Sequence, residues 1–180
     1  MKEDKLVVRA ERVLARLLPS RLAVKRGESL FYQIRVDNRL DFEPPDPKRP
    51  MRGQSAFQTD LCIFERKKNL DIPRVVLEFK RGLSTHDVLT YSAKARRHKQ
   101  VYRYLRYGLV VAKEKPALSK FYNHNEGLDF CLVANPSKIE KLLPQLVRKE
   151  VAASRQLERV ATGAVETGLI RTEVILKSFP

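Results

Sequence analysis

Two short stretches decide the fold: Phe57-Gln58-Thr59-Asp60-Leu61-Cys62-Ile63-Phe64 and Arg74-Val75-Val76-Leu77-Glu78-Phe79-Lys80. Both are apolar and rich in β-branched and aromatic residues, so both read as strands. The residues between them, Glu65 to Pro73, are polar and end on proline, and read as a hairpin loop. Charge sits where burial should exclude it. Asp60 opens one apolar run, and Glu78 and Lys80 lie inside the other.

Side chains alternate along a strand, so Glu78 and Lys80 share a face with Val76, while Leu77 and Phe79 share the opposite one. If the two strands are neighbours, Asp60 lies beside Glu78. Two carboxylates about 4–6 Å apart repel, and one pKa rises unless a cation lies between them. A hard divalent ion removes the conflict, and Mg²⁺ commonly takes one or two carboxylates plus waters and phosphate oxygens. Lys80, one β-step along, is placed to orient a water or to stabilise developing negative charge.

At these residues the chain resembles the PD-(D/E)XK nuclease superfamily, whose pattern is an Asp at the start of one strand and Glu-x-Lys on the next. Here Asp60 is followed, after 17 intervening residues, by Glu78-Phe79-Lys80. Thr59 stands where that pattern often has Pro, a position that varies within the family. By element order the resemblance runs from about Glu3 to Val133. It implies a restriction-endonuclease-like α/β fold: a central mixed sheet flanked by helices, in the order α-β-β-β-α-β-β-α, as a single domain spanning residues 1–180.

The resemblance also implies a chemistry. Asp60, Glu78 and the main-chain carbonyl of Phe79 would hold Mg²⁺ or Mn²⁺. Lys80 would position and help deprotonate the attacking water, and the reaction would be hydrolysis of DNA phosphodiester bonds, with RNA the lesser expectation. Members often carry a further metal-site Glu on the first helix, for which Glu11 is the candidate and Glu28 the competitor. A later helix often supplies a supporting residue. Gln100, in Gln100-Val101-Tyr102-Arg103-Tyr104, and Lys94 are the two candidates.

Composition narrows the partner. With 43% hydrophobic and 32% charged residues over 180 positions, the chain is long and apolar enough to fold around a core. Its net charge is +15 and its pI near 10.1, which favours a polyanion, nucleic acid ahead of an anionic membrane, over a merely basic surface. Cys62 and Cys131 fall inside expected strands with no zinc-ligand spacing, as buried thiols in a reducing cytoplasm would. No apolar run reaches the roughly 18–20 residues that span a bilayer. The charged start Met1-Lys2-Glu3-Asp4-Lys5 has no signal-peptide core behind it.

Taken in order, Lys5 to Leu18 reads as a helix stopped by Pro19, with Leu6, Ala10, Val13, Leu14 and Leu17 as its apolar stripe. Ser29 to Val36 reads as a strand. Asp37 to Gln54, with Pro44, Pro45, Pro47 and Pro50, is a loop. Its Lys48, Arg49 and Arg52 either track a phosphate backbone or decorate a plain linker. Ser84 with Asp87 starts a helix expected to run to Tyr107 and end at Gly108. Lys94, Arg96, Arg97, Lys99 and Arg103 crowd its outer side, with Arg81 just before it. These make a DNA-facing surface or a solvated basic face. Tyr91, Tyr102, Tyr104 and Tyr107 either pack in the core or stack on bases.

Leu109 to Ala112 and Leu128 to Ala134 read as strands. Between them Lys113 to Gly127 is irregular, with Asn123-His124-Asn125 as a turn. Ser137 caps a helical region to Val160, with Pro144 opening a second segment. Residues 161–180 form an extension whose Leu169 to Leu176 is an edge or dimer-forming strand. Cutting two strands usually needs two active sites, so a homodimer is expected. No Gly-rich phosphate loop is present, which argues against a nucleotide triphosphatase. The alternative function is a non-catalytic nucleic-acid-binding module, with Glu78 and Lys80 as a structural ion pair and Asp60 as a strand cap.

Overall fold

The computed structural model describes residues 3–43, 50–51, 55–112 and 118–165. Lys48, Arg49, Arg52 and the strand expected at Leu169 to Leu176 lie outside them. The first helix, α1 (Glu3–Leu17), buries Leu6, Ala10 and Leu14 of the expected stripe and adds Val7, while Val13 is half-buried and Leu17 exposed. Strands β1 (Leu22–Arg26), β2 (Ser29–Phe31), β3 (Arg35–Val36), β4 (Phe42–Glu43), β5 (Ala56–Gln58), β6 (Leu61–Lys67) and β7 (Leu70–Lys80) follow. Helix α2 (Thr85–Val101), strand β8 (Arg106–Val111), helix α3 (Leu118–His124), strand β9 (Phe130–Val133) and helix α4 (Pro136–Ala161) complete the order.

The main sheet has five strands in the order β1-β6-β7-β8-β9. β1, β6 and β7 are antiparallel, while β7, β8 and β9 run parallel. Parallel neighbours need a crossover, and α2 supplies it between β7 and β8. One face carries α1 and α4: Leu61, Ile63, Val75, Leu77 and Phe79 pack there against Leu14, Leu143 and Val147. The other carries α2: Cys62, Val76, Tyr107, Leu109 and Val111 pack there with Val88 and Ala95. β7 is therefore covered on both faces, and each large apolar side chain it buries contributes about 1.5–3 kcal/mol.

Several expectations are corrected. One edge of the main sheet is β1, whereas Ser29 to Val36 splits into β2 and β3, which pair with β5 and β4 in separate two-stranded ribbons. The expected loop Glu65 to Pro73 is instead strand, with β6 and β7 meeting at a tight turn where Lys68 has φ 53°. The polar residues stay paired because charge meets charge. Buried Arg74 bonds Glu65 at 2.8 Å and Glu158 of α4 at 2.7 Å, and Arg155 bonds Glu65 at 2.6 Å. Pro73 is accommodated by a bulge: Ile63 faces Val75 and Phe64 faces Pro73, leaving Arg74 without an opposite residue.

Helix α2 starts with the expected Ser84–Asp87 capping box but ends at Val101 rather than Tyr107. Gly108 is no helix terminator. It lies inside β8, where a Cβ would stand 2.2 Å from the Phe130 ring. The end of α3 and the Asn125 side chain, which accepts the N–H of Leu128 at 2.8 Å, replace the expected turn at 123–125. Asn135, not Ser137, caps α4, which runs through the buried Pro144 as one helix.

Candidate active site

Asp60 sits in the break between β5 and β6, and the break is pinned from both sides. Thr59 donates its N–H and its Oγ1 hydroxyl to the Glu28 carbonyl, each at 2.9 Å, and the Gly27 N–H bonds the Asp60 carbonyl at 3.3 Å. Gly27 adopts φ +70°, the left-handed region glycine enters without a Cβ clash. Beyond the pair Leu61↔Leu77, β7 has no strand beside it on the β6 side. There the Asp60 carboxylate replaces the missing strand: its Oδ2 accepts the Phe79 N–H at 2.8 Å. The Phe79 carbonyl points to that same edge, because the N–H and C=O of one strand residue share a side. The next carbonyl, of Lys80, turns the other way to the Ala112 N–H at 2.8 Å.

Glu78 is 2% exposed. Its Oε1 accepts the Lys94 ammonium at 2.8 Å and the Tyr107 hydroxyl at 2.5 Å. Tyr107 faces Val76 across β7 and β8, two residues before Glu78, so its long side chain spans the diagonal of the sheet. Burial pushes the Glu78 carboxyl up. Lys94 pulls it down, the neighbouring Asp60 charge pushes it up again, and the net direction is upward. Tyr107 is raised well above the phenol range by burial and by Glu78, which keeps it neutral and a donor.

Asp60, Glu78 and Lys94 line one hollow with Asp4, Gln58 and Tyr91, of about 290 Å³. A water occupies about 30 Å³ of liquid, so the hollow holds a hydrated ion together with a phosphate group. Asp60 Oδ1 and Glu78 Oε2 make no hydrogen bond among the described residues. With the Phe79 carbonyl they offer hard oxygens to a small divalent cation, a donor set that fits Mg²⁺ once water or phosphate completes it. Among the described residues, no group of three or more His, Cys, Asp and Glu side chains is placed to hold a metal.

Two lysines approach the site, and they differ. Lys94, on α2, also donates to the Gln58 carbonyl at 3.2 Å and so bridges both carboxylate-bearing segments. Lys80 bonds Glu3 of α1 at 3.0 Å and does not line the hollow. The two ammonium groups flank the Tyr91 ring, at 5.2 Å for Lys94 and 5.4 Å for Lys80. Burial works against the Lys80 charge, but the Glu3 carboxylate and Tyr91 outweigh it and hold Lys80 above the usual lysine range. As placed, Lys80 meets Glu3 rather than the acids of the hollow.

Glu11 is ion-paired with Arg26 at 3.7 Å, and the α1 residues lining the hollow are Asp4 and Val7. Glu11 shares their helix stripe but lies about 10 Å further along the axis than Asp4. Glu28 contributes its carbonyl to Thr59. Of the two α2 candidates, Lys94 reaches the site and Gln100 is exposed.

Among the cations expected to meet DNA, Arg81 and Arg103 are exposed, and Arg96 pairs with Glu126 at 3.0 Å on the surface. Lys99 is withdrawn from that role: its ammonium is held by Asp129 and the Gly127 carbonyl, each at 2.7 Å. Tyr107 and Asp4 escaped the sequence reading. The pattern puts Tyr107 at the end of a helix and leaves Asp4 in the charged start ahead of α1, whereas the structure has Tyr107 in β8 and Asp4 in α1. The chain matches no protein-family model and no curated protein.

Proposed function

We propose that this chain is a divalent-metal-dependent nuclease of the PD-(D/E)XK, restriction-endonuclease-like kind, acting on DNA in the cytoplasm, with a homodimer as its working form. One observation carries the reading: Asp60, just before β6, and Glu78 of β7 share a hollow with the Lys94 ammonium in a chain of net charge +15. Structural acids seldom converge with free oxygens on a solvent-reachable hollow. Bound there, the metal would polarise the phosphoryl group and lower the pKa of a coordinated water.

The chain's own residues set the geometry. Asp60 is fixed by the Phe79 N–H. Glu78 is fixed through Oε1 by Tyr107 and Lys94, which leaves Oε2 without a hydrogen bond among the described residues. Lys94, in the hollow, would supply positive charge for the phosphate oxygens, and Lys80 would join it on leaving Glu3.

The test is plasmid nicking across a titration of Mg²⁺ and Mn²⁺. Asp60→Asn and Glu78→Gln keep the shape and remove the charge, and each is expected to lower the cleavage rate by at least about 10³-fold while DNA binding persists. Metal-dependent cleavage surviving in the Glu78 variant would refute the assignment.

The second reading is a basic nucleic-acid-binding protein without chemistry. It is favoured by one fact: the Glu78 charge is already met by Lys94 and Tyr107, as in a structural ion pair. Wild-type binding with no cleavage at any metal concentration would select it.

A further inference from the structure

A column of rings leads from the surface to Glu78. Tyr32 stacks on Phe57 with centroids 4.1 Å apart and 19° between planes. Phe57 meets His98 edge-on at 5.9 Å, and His98 stacks on Tyr107 at 5.7 Å. Tyr107 donates to Glu78. At the outer end Tyr32 is half-buried, and its backbone is fixed by an N–H bond to the Ser55 carbonyl at 2.9 Å. The guanidinium carbon of exposed Arg97 lies 6.0 Å from the Tyr32 centroid.

That distance is informative. It sits at the outer limit of a direct cation–ring contact, about 6 Å. It approaches two aromatic stacking intervals of about 3.4 Å each, the rise between successive bases. A small outward shift of one exposed side chain would therefore admit one flat ring between the Tyr32 ring and the Arg97 guanidinium, the two kinds of group on which bases stack. This position is one helical turn from the site, since Arg97 follows Lys94 by three residues on α2 and Phe57 precedes Gln58 of the hollow.

We infer that Tyr32 and Arg97 clamp a single unpaired base beside the phosphate drawn to Asp60 and Glu78. The substrate class is then nucleic acid with a single-stranded segment, because a base inside a duplex has both faces covered by its neighbours. This rests on the nucleic-acid reading above and goes beyond it. The positive charge of Arg97 and Lys94, within a net +15, favours a polyanion over an aromatic side chain of a partner protein.

The test is fluorescence anisotropy without divalent cation, at fixed salt, using labelled oligothymidylate of about twelve nucleotides and a duplex of equal length. Tyr32→Leu keeps an apolar contact with Phe57 and changes no charge. Arg97→Lys keeps the charge and loses the planar face. Each is expected to weaken single-strand binding by about ten-fold and leave duplex binding unchanged. Equal losses on both probes, or none on either, overturn the clamp while leaving the nuclease reading intact. If the wild-type chain binds neither probe, the nucleic-acid reading falls and takes the clamp with it.

Discussion

His98 shows how one buried side chain makes stability depend on pH. It is fully buried, and its Nδ1–H donates to the Phe31 carbonyl at 3.0 Å, while Nε2 has no partner. Burial lowers its pKa; the Phe31 carbonyl opposes this and Lys94 adds to it, leaving the folded value at about 4. An unfolded histidine titrates near 6.5. Between those values the unfolded chain binds a proton that the folded chain refuses, so stability falls as pH drops through the window and loses nothing more below it. The full loss is about 3 kcal/mol. Urea midpoints measured from pH 7 to pH 4 should show this loss in the wild type and lack it in His98→Phe; parallel curves would exclude it. At this scale the acids were legible, because charge inside an apolar run is conspicuous. Their supports were not. Tyr107 and His98 look like ordinary core residues until register sets one beside Glu78 and the other behind it.

Elements were legible where pattern and propensity agreed. The centre of the α1 stripe, the capping box of α2, and the heart of β6 and β7 follow from spacing alone. Where they failed, a tertiary partner had decided. β1 ends in Lys25 and Arg26 and lacks the aromatic pattern of the stretch after it, yet its register with β6 completes one edge of the sheet. The β6–β7 hairpin extends through polar residues because Arg74, Glu65, Arg155 and Glu158 satisfy one another. The end of α2 was hidden because Tyr102 and Leu105 continue its apolar period. Gly108 now has a packing reason, the Phe130 ring lying over it. Gly108→Ala should cost about 1–3 kcal/mol in urea unfolding, and adding Phe130→Leu should recover most of it. A neutral Gly108→Ala would mean that β8 and β9 separate at little cost.

At the scale of the molecule, helices on both faces of a mixed sheet were legible from element order, and the charge was legible as a sum. Its distribution was not, because pairing depends on the fold: Lys99, Arg106 and Arg74 spend their charge internally, and Arg81, Arg97 and Arg103 face outward. If six or more phosphates are contacted, affinity for DNA should drop roughly a thousand-fold between 50 and 200 mM salt. Anisotropy across a KCl series measures the slope, and a flat dependence would remove nucleic acid as the partner. The placement of β7 has a last consequence. Over Val75 to Leu77 it is paired on both edges, and both of its faces are covered. Its amides should trade hydrogen for deuterium only when the whole sheet parts. Glu78 follows directly on that stretch, so its carboxylate is anchored to the part of the molecule that is last to let go.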